Sequence, residues 1–297
     1  MKKHVFHNAG YSFLAIAVLM IACVSFENGW NLAVPEKNAE NPEQILEKAA
    51  KLESEASSAE SVEELLNTLK ELEKADPANY LALWKIGNYN ILMGAAYSDK
   101  KRDKKAHYRE AIQYCEKAMF TNADFRSAVL DGADICTACS KLTLHEIDAM
   151  GYWYTARFYY FKDCLSPLGR LFNTRIVIDN NTMIERIDQL DSTWAGGGNY
   201  FSRALYYISV PERFGGSKER ADQEFRKAIE TGPNYLVNRW GRAKYLYSIT
   251  GNKAGFVSDM EWVLQQDPRN SGNPYPWNIY FQRDARSMLA SGDDPVR

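Results

Sequence analysis

Cys136 and Cys139 stand at a spacing that can cycle between dithiol and disulfide or supply half of a metal site. No second such pair follows, and Ser140 rather than His comes next, which excludes the usual c-type haem attachment signature. The pair falls inside an expected helix, where the plainer reading is two small buried residues. With Cys115 and Cys164 the cysteines after residue 23 number an even four, so in an exported chain one or two disulfides are open, in any pairing. Of the four histidines, His4 and His7 are near the start, and His107 and His145 do not make a site. No Gly-x-Ser-x-Gly, His-Glu-x-x-His or dinucleotide fingerprint occurs. Gly196-Gly197-Gly198 lacks the Lys-Ser or Lys-Thr end and the preceding strand of a phosphate loop. Glycines there open a helix and let two backbones approach closely. The chain is therefore expected to catalyse nothing and to need no cofactor or metal.

One further cysteine points to a different chemistry. Lys2 and Lys3 precede an apolar run, Phe13 to Ala22, that is shorter than the ~20 residues a bilayer core needs and reads as an export signal. Ala22-Cys23 resembles the bacterial lipobox, with Met20 where that motif prefers Leu. The expectation is a signal peptide over 1–22 and a lipid on Cys23; a plainly cleaved signal and a retained anchor are the alternatives. Val24, rather than Asp, follows, which in a diderm bacterium favours the periplasmic face of the outer membrane over the inner. Residues 23–40, with Pro35 and little periodicity, are expected to tether the lipid to the folded body. Basic and acidic residues are nearly balanced at 36 and 38, so no whole-molecule field draws the chain to nucleic acid.

The elements that would carry a site are helical. Asn41, Pro42 and Gln44 form a helix start ahead of Ile45, Leu46, Ala49 and Leu52. Ser61 to Glu64 reads as a second capping box, and Asp76-Pro77 as a stop. Four triplets share the step i, i+4, i+7: Leu65, Leu69, Leu72; Ala111, Cys115, Ala118; Ala221, Phe225, Ala228; and Phe256, Met260, Val263. Pro77, Pro233 and Pro268 close three of them at a fixed distance, and Trp240, Ala243 and Tyr247 mark a front helix. A period near 34 is that of the tetratricopeptide repeat, a helical hairpin that buries its apolar face by stacking on neighbours and leaves a concave surface for binding. Between the clear units, Asp124–Cys139 and Leu144–Cys164 read as another pair, and Thr182 to Glu185 as a further capping box. No alternating strand pattern with hairpin turns is present. The expected fold is all-α: an irregular tetratricopeptide-like solenoid of eleven or twelve helices over residues 41–290, with a tail at 291–297.

Aromatic residues concentrate in Gly151 to Tyr154 and Phe158 to Phe161. Trp153, Phe158 and Phe161 suit the core, whereas tyrosines with hydroxyl handles suit a pocket wall or interface. The candidate binding residues are Trp84, Tyr89, Tyr152, Trp153, Tyr154, Tyr159, Trp194 and Tyr200. The basic run from Lys100 to His107 reads as a solvated loop or as a contact for anionic lipid headgroups.

Trp194 to Leu205, Pro211, Gly215-Gly216, the Ala221 triplet, Val237, Ala243, Tyr245, Phe256 and Val263 resemble the TRAP transporter T-component (TatT) family of tetratricopeptide lipoproteins. Trp277-Asn278, Ala285 and Leu289 resemble that family's closing helix, and the similarity is most specific over 194–290, with 140–182 departing from it. The resemblance implies a periplasmic lipoprotein that associates with a transporter's substrate-binding protein, as an oligomer or alone, and passes a small apolar ligand through a central passage. The alternative is an envelope scaffold that grips another protein through the same repeats and holds no small ligand.

Overall fold

The computed structural model describes residues 24–30 and 41–291; the expected signal over 1–22, Cys23, the stretch 31–40 and residues 292–297 lie outside them. Fourteen helices and no strand make up the described residues. They begin with α1 (Pro42–Glu55), α2 (Ala59–Ala75), α3 (Tyr80–Ala96) and α4 (Lys101–Phe120). The short α5 (Ala123–Leu130) and α6 (Ile135–Ala138) lead to α7 (Ile147–Tyr159), which ends in a π-helical turn, Tyr160–Cys164. Then come α8 (Pro167–Phe172), α9 (Arg175–Leu190), α10 (Trp194–Ser209) and α11 (Lys218–Thr231). The helix α12 runs from Leu236–Gly241 through a π-helical stretch, Arg242–Tyr247, into Ser248–Thr250. Last are α13 (Lys253–Gln265) and α14 (Tyr275–Ala290). The total exceeds eleven or twelve because α5, α6 and α8 are only one or two turns long.

Helical hairpins α1–α2, α3–α4, α10–α11 and α13–α14 stack into a solenoid. All four i, i+4, i+7 triplets are buried between them. The helix α3 is predominantly apolar, and none of its residues from Tyr80 to Ala96 is exposed. Such a helix has to be central, since any face left in water would expose apolar area.

The ends of the stack meet, and the open concave surface expected from repeat stacking is not what the chain builds. The last helix, α14, lies against the first, α1. Trp277 on α14 donates its indole N–H to the buried Oδ1 of Asn88 on α3, at 2.7 Å. Arg283 donates to the carbonyl of Ala96 at 2.7 Å while its guanidinium lies 4.5 Å over the Tyr97 ring. Arg269 reaches the carbonyl of Ser54 at 2.9 Å. Unsatisfied carbonyls at the ends of α1 and α3 are natural sites for arginine, and these two contacts use them.

Several local expectations shift. Asn41 caps α1 with Pro42 in the first turn, but the cap accepts from Glu43 N–H. At α2 the cap is Ser58 rather than Ser61; Ser61 is the third residue and completes the box from inside. Thr182 lies in the middle of α9, its hydroxyl directed at the carbonyl of Ile178, a local bond that removes its need to cap. The segment 124–139 breaks at Gly132, whose φ of 98° ends α5. The basic run forms the first two turns of α4 rather than a loop. All four described cysteines are free thiols.

Residues 24–30, expected within a tether, are seated on the body. Gly29 donates its N–H to Glu116 at 2.8 Å, and Trp153 donates to the other carboxylate oxygen at 3.0 Å. A Cβ at Gly29 would overlap the Gln113 carbonyl, so this approach requires glycine. Phe26 meets Tyr160 edge-on at 5.1 Å and lies 5.2 Å beneath the Arg157 guanidinium. Burial holds the Glu116 carboxyl above its ordinary 4.5, opposed by the Gly29 and Trp153 N–H groups and by Arg157. The folded state therefore binds this proton more tightly than the unfolded chain does. The Glu116 contribution to stability is full below about pH 4.5 and declines as pH rises through the elevated folded value. The expected result is that Glu116→Gln removes this decline from urea midpoints followed across the acid range. An unchanged pH profile in the variant would sink the assignment.

Candidate functional site

Inside the closed stack, α7, α9, α10, α12 and α14 surround a cavity of about 130 Å³. The two π-helical stretches lie in its wall, where Phe161 and Tyr245 line it. π-Helical turns are rare and concentrate at functional positions. The helix α10 enters through a left-handed break at Ala195 (φ 50°), Gly196 (φ 61°) and Gly197 (φ 88°). A Cβ on Gly197 would stand 2.9 Å from the Ala228 Cα, so the glycines do allow two backbones to approach. Asn238 stitches the same point, donating to the carbonyls of Gly196, Ala228 and Gly232. Ala195 has no such licence. A left-handed alanine costs of the order of 1 kcal/mol, and this one lines the cavity.

Many polar atoms of the wall are bonded to groups behind it or paired with one another, while the hydroxyls of Tyr152, Tyr206 and Ser209 have no such partner among the described residues. Trp194 donates its indole N–H to Asp148 at 2.9 Å, Trp240 to Asp284 at 2.8 Å and Trp277 to Asn88. Ser202 bonds the Tyr154 hydroxyl at 2.9 Å and the Gly198 carbonyl at 2.8 Å. Asn180 accepts from Arg157 at 3.2 Å and donates to the Tyr154 carbonyl at 3.0 Å. Burial raises the phenols of Tyr152, Tyr154, Tyr159 and Tyr245, which keeps them neutral. What these side chains offer an occupant is ring face and aliphatic surface, from Phe158, Phe161, Ile184, Phe201, Leu205 and Phe281 as well.

The structure divides the eight candidate residues. Tyr152, Tyr154, Tyr159 and Trp194 line the cavity. Trp84 stands behind the wall, stacked on Tyr152 at 5.4 Å with parallel planes. Tyr89 is fully buried and hydrogen-bonded to Glu53. Trp153 points to the opposite face of α7, toward Glu116. Tyr200 is half-buried beside Arg203 and Lys227. Trp240, Trp277 and Phe281 belong to the wall as well; the sequence marks Trp240 as a repeat position and Trp277 by its resemblance to a closing helix, and it singles out Phe281 in no way.

The remaining reactive side chains do not gather. Burial pushes the Cys136 thiol up to about 12 and also raises Cys139, whose Sγ donates to the Cys136 carbonyl. Thiolate chemistry needs the opposite shift. Among the described residues no group of three or more His, Cys, Asp or Glu side chains is placed to hold a metal ion. No described helix is long and apolar enough to cross a membrane.

Fold and cavity together define an all-α solenoid closed around an apolar pocket. The chain belongs to the TRAP transporter T-component family, whose model matches residues 93–295. The match runs through 140–182, the stretch where the sequence departs most, and includes α7, α9, α10, α12 and α14. Its role is that of a transporter accessory component, associated with the cell envelope. No curated protein matches the chain significantly.

Proposed function

We propose that this T-component is a lipoprotein, anchored through Cys23 at the periplasmic face of the outer membrane, that holds a small apolar ligand in the cavity and meets the transporter's substrate-binding protein. The observation that supports this best is the pairing of the wall's polar atoms. A charged or sugar-like ligand would lose its water and find most of these groups already engaged, with only the Tyr152, Tyr206 and Ser209 hydroxyls to replace it, at a cost of several kcal/mol. An apolar ligand loses nothing of that kind. The size agrees with a compact group, since a dry cavity of about 150 Å³ admits benzene. The hairpins around it are read as tetratricopeptide-like, and they catalyse nothing in this reading.

The full chain purified without detergent tests the proposal. Denaturation and extraction should release an apolar compound in stoichiometric amount, identified by mass spectrometry. A tight protein partner with no extractable compound would reject ligand holding and leave a scaffold.

A further inference from the structure

Exposed large apolar side chains are scattered singly over most of this surface, as at Leu130, Leu144, Ile249 and Val257. One place is different. Leu168, Leu171 and Phe172 share one face of α8, at i, i+3 and i+4, and Ile178 follows on the first turn of α9. Their exposures are 62%, 54%, 37% and 56%. No residue of α8 is buried. A soluble protein gains nothing by keeping such a helix in water, so clusters of this kind mark contact surfaces.

Two observations say what covers it. The chain enters the described structure beside this face, because Val24 donates its N–H to Asn173 Oδ1 at 2.7 Å, and Asn173 immediately follows Phe172. The residues before Val24 hold the apolar run Phe13–Ala22 and Cys23. Either a lipid on Cys23 or that run, if retained, delivers a membrane to this side of the body. Second, cations of α4 lie near the stretch of chain that leads into α8. Lys101, Lys104 and Lys105 of α4 lie close enough to act on Cys164, two residues before the Ser166 cap of α8. Lys105 also stands 5.9 Å over the Tyr160 ring, which Phe26 of the entering segment contacts. An exposed apolar helix with lysines near its start fits the boundary between acyl chains and anionic headgroups.

We infer that α8 and the start of α9 form a membrane-seating face: Leu168, Leu171, Phe172 and Ile178 enter the headgroup boundary of an anionic bilayer, and the docked 24–30 segment fixes this orientation. The face adjoins the cavity, because Phe161, Ile176 and Val177 line the cavity from the same stretch of chain. This inference rests on the anchored reading of the N-terminus and is independent of whether the cavity holds a ligand.

The test uses the full chain reconstituted in phosphatidylethanolamine–phosphatidylglycerol vesicles that contain a phospholipid with a diazirine in its acyl chain. After photolysis, adducts mapped by mass spectrometry should fall on Leu168, Leu171 and Ile178 severalfold more than on Leu130, Leu144, Ile249 or Val257. Leu168→Ser with Leu171→Ser should cut labelling of Ile178 and Phe172 severalfold in a chain whose helical circular dichroism is unchanged. Labelling of α8 no greater than that of the scattered leucines overturns the inference. So do adducts confined to Phe201, Trp240 and Phe281, which would mean a lipid taken up as ligand without a seated face. Protection of α8 from a water-soluble carbene in the absence of vesicles would also overturn it, since a second copy would then be the cover.

Discussion

Trp277→Ala is expected to destabilise the protein by about 3–5 kcal/mol and to open the closed stack. Its ring stacks on Phe281 at 5.6 Å and meets Tyr280 edge-on at 5.9 Å. Its N–H satisfies the Oδ1 of Asn88, a fully buried side chain on the central helix α3. Removing it therefore creates a void at the cavity wall and leaves the Asn88 carbonyl oxygen buried without a donor. Trp277→Phe separates the two effects. It keeps most of the ring contact and loses only the hydrogen bond, with an expected cost of about 1–3 kcal/mol. Urea midpoints give both values, and hydrogen exchange locates the damage. Amides of α1, α3 and α14 should lose protection in the alanine variant while those of α10 and α11 keep theirs. A loss below about 1 kcal/mol for alanine, or uniform deprotection, would mean that the contact between first and last hairpins does not hold the stack closed.

Such a contact shows which parts of this fold a sequence can announce. The triplets at 65, 111, 221 and 256 are legible because a helix repeats its buried face every few residues, whatever that face packs against. Their burial follows directly. Closure does not: Trp277 and Asn88 are 189 residues apart, and nothing in either neighbourhood marks the other. The same limit divides the candidate site. Tyr152, Tyr154 and Tyr159 alternate around α7, so composition singled out the cluster but not which side faces the cavity, and Trp153 between them points away to Glu116. Trp240 carries good repeat spacing, and spacing reports that a residue is packed without saying that it borders a void. Capping was misplaced for a related reason. Ser58 and Ser61 are both competent caps, and only the position of Val62 and Leu65 on the core chooses between them. The docked segment at 24–30 lacks periodicity altogether, because Gly29 and Phe26 are held by single contacts rather than by a repeating face.

Filling the cavity is expected to abolish ligand holding while sparing the fold. Val237 lines the cavity from the first turn of α12 and is only half-buried, so a larger side chain there can project into the space without displacing a packed backbone. Val237→Trp should occupy much of the about 130 Å³. A ring-sized ligand burying ~150 Å² gains roughly 4 kcal/mol at ~25 cal/mol per Å². Losing even three-quarters of that contact weakens binding about a hundredfold. The measurement is the amount of apolar compound extracted from the variant, set beside Val257→Trp, which adds the same ring at an exposed position on α13. Extraction should fall to background in the first and stay unchanged in the second, with both melting within a few degrees of the parent chain. Equal extraction from both would place the ligand elsewhere on the molecule. A variant at Val237 that keeps its helical signal, holds no compound and still binds the transporter's substrate-binding protein would separate the two activities proposed here. Partner recognition would then belong to the outer surface of the solenoid, and ligand holding to its interior.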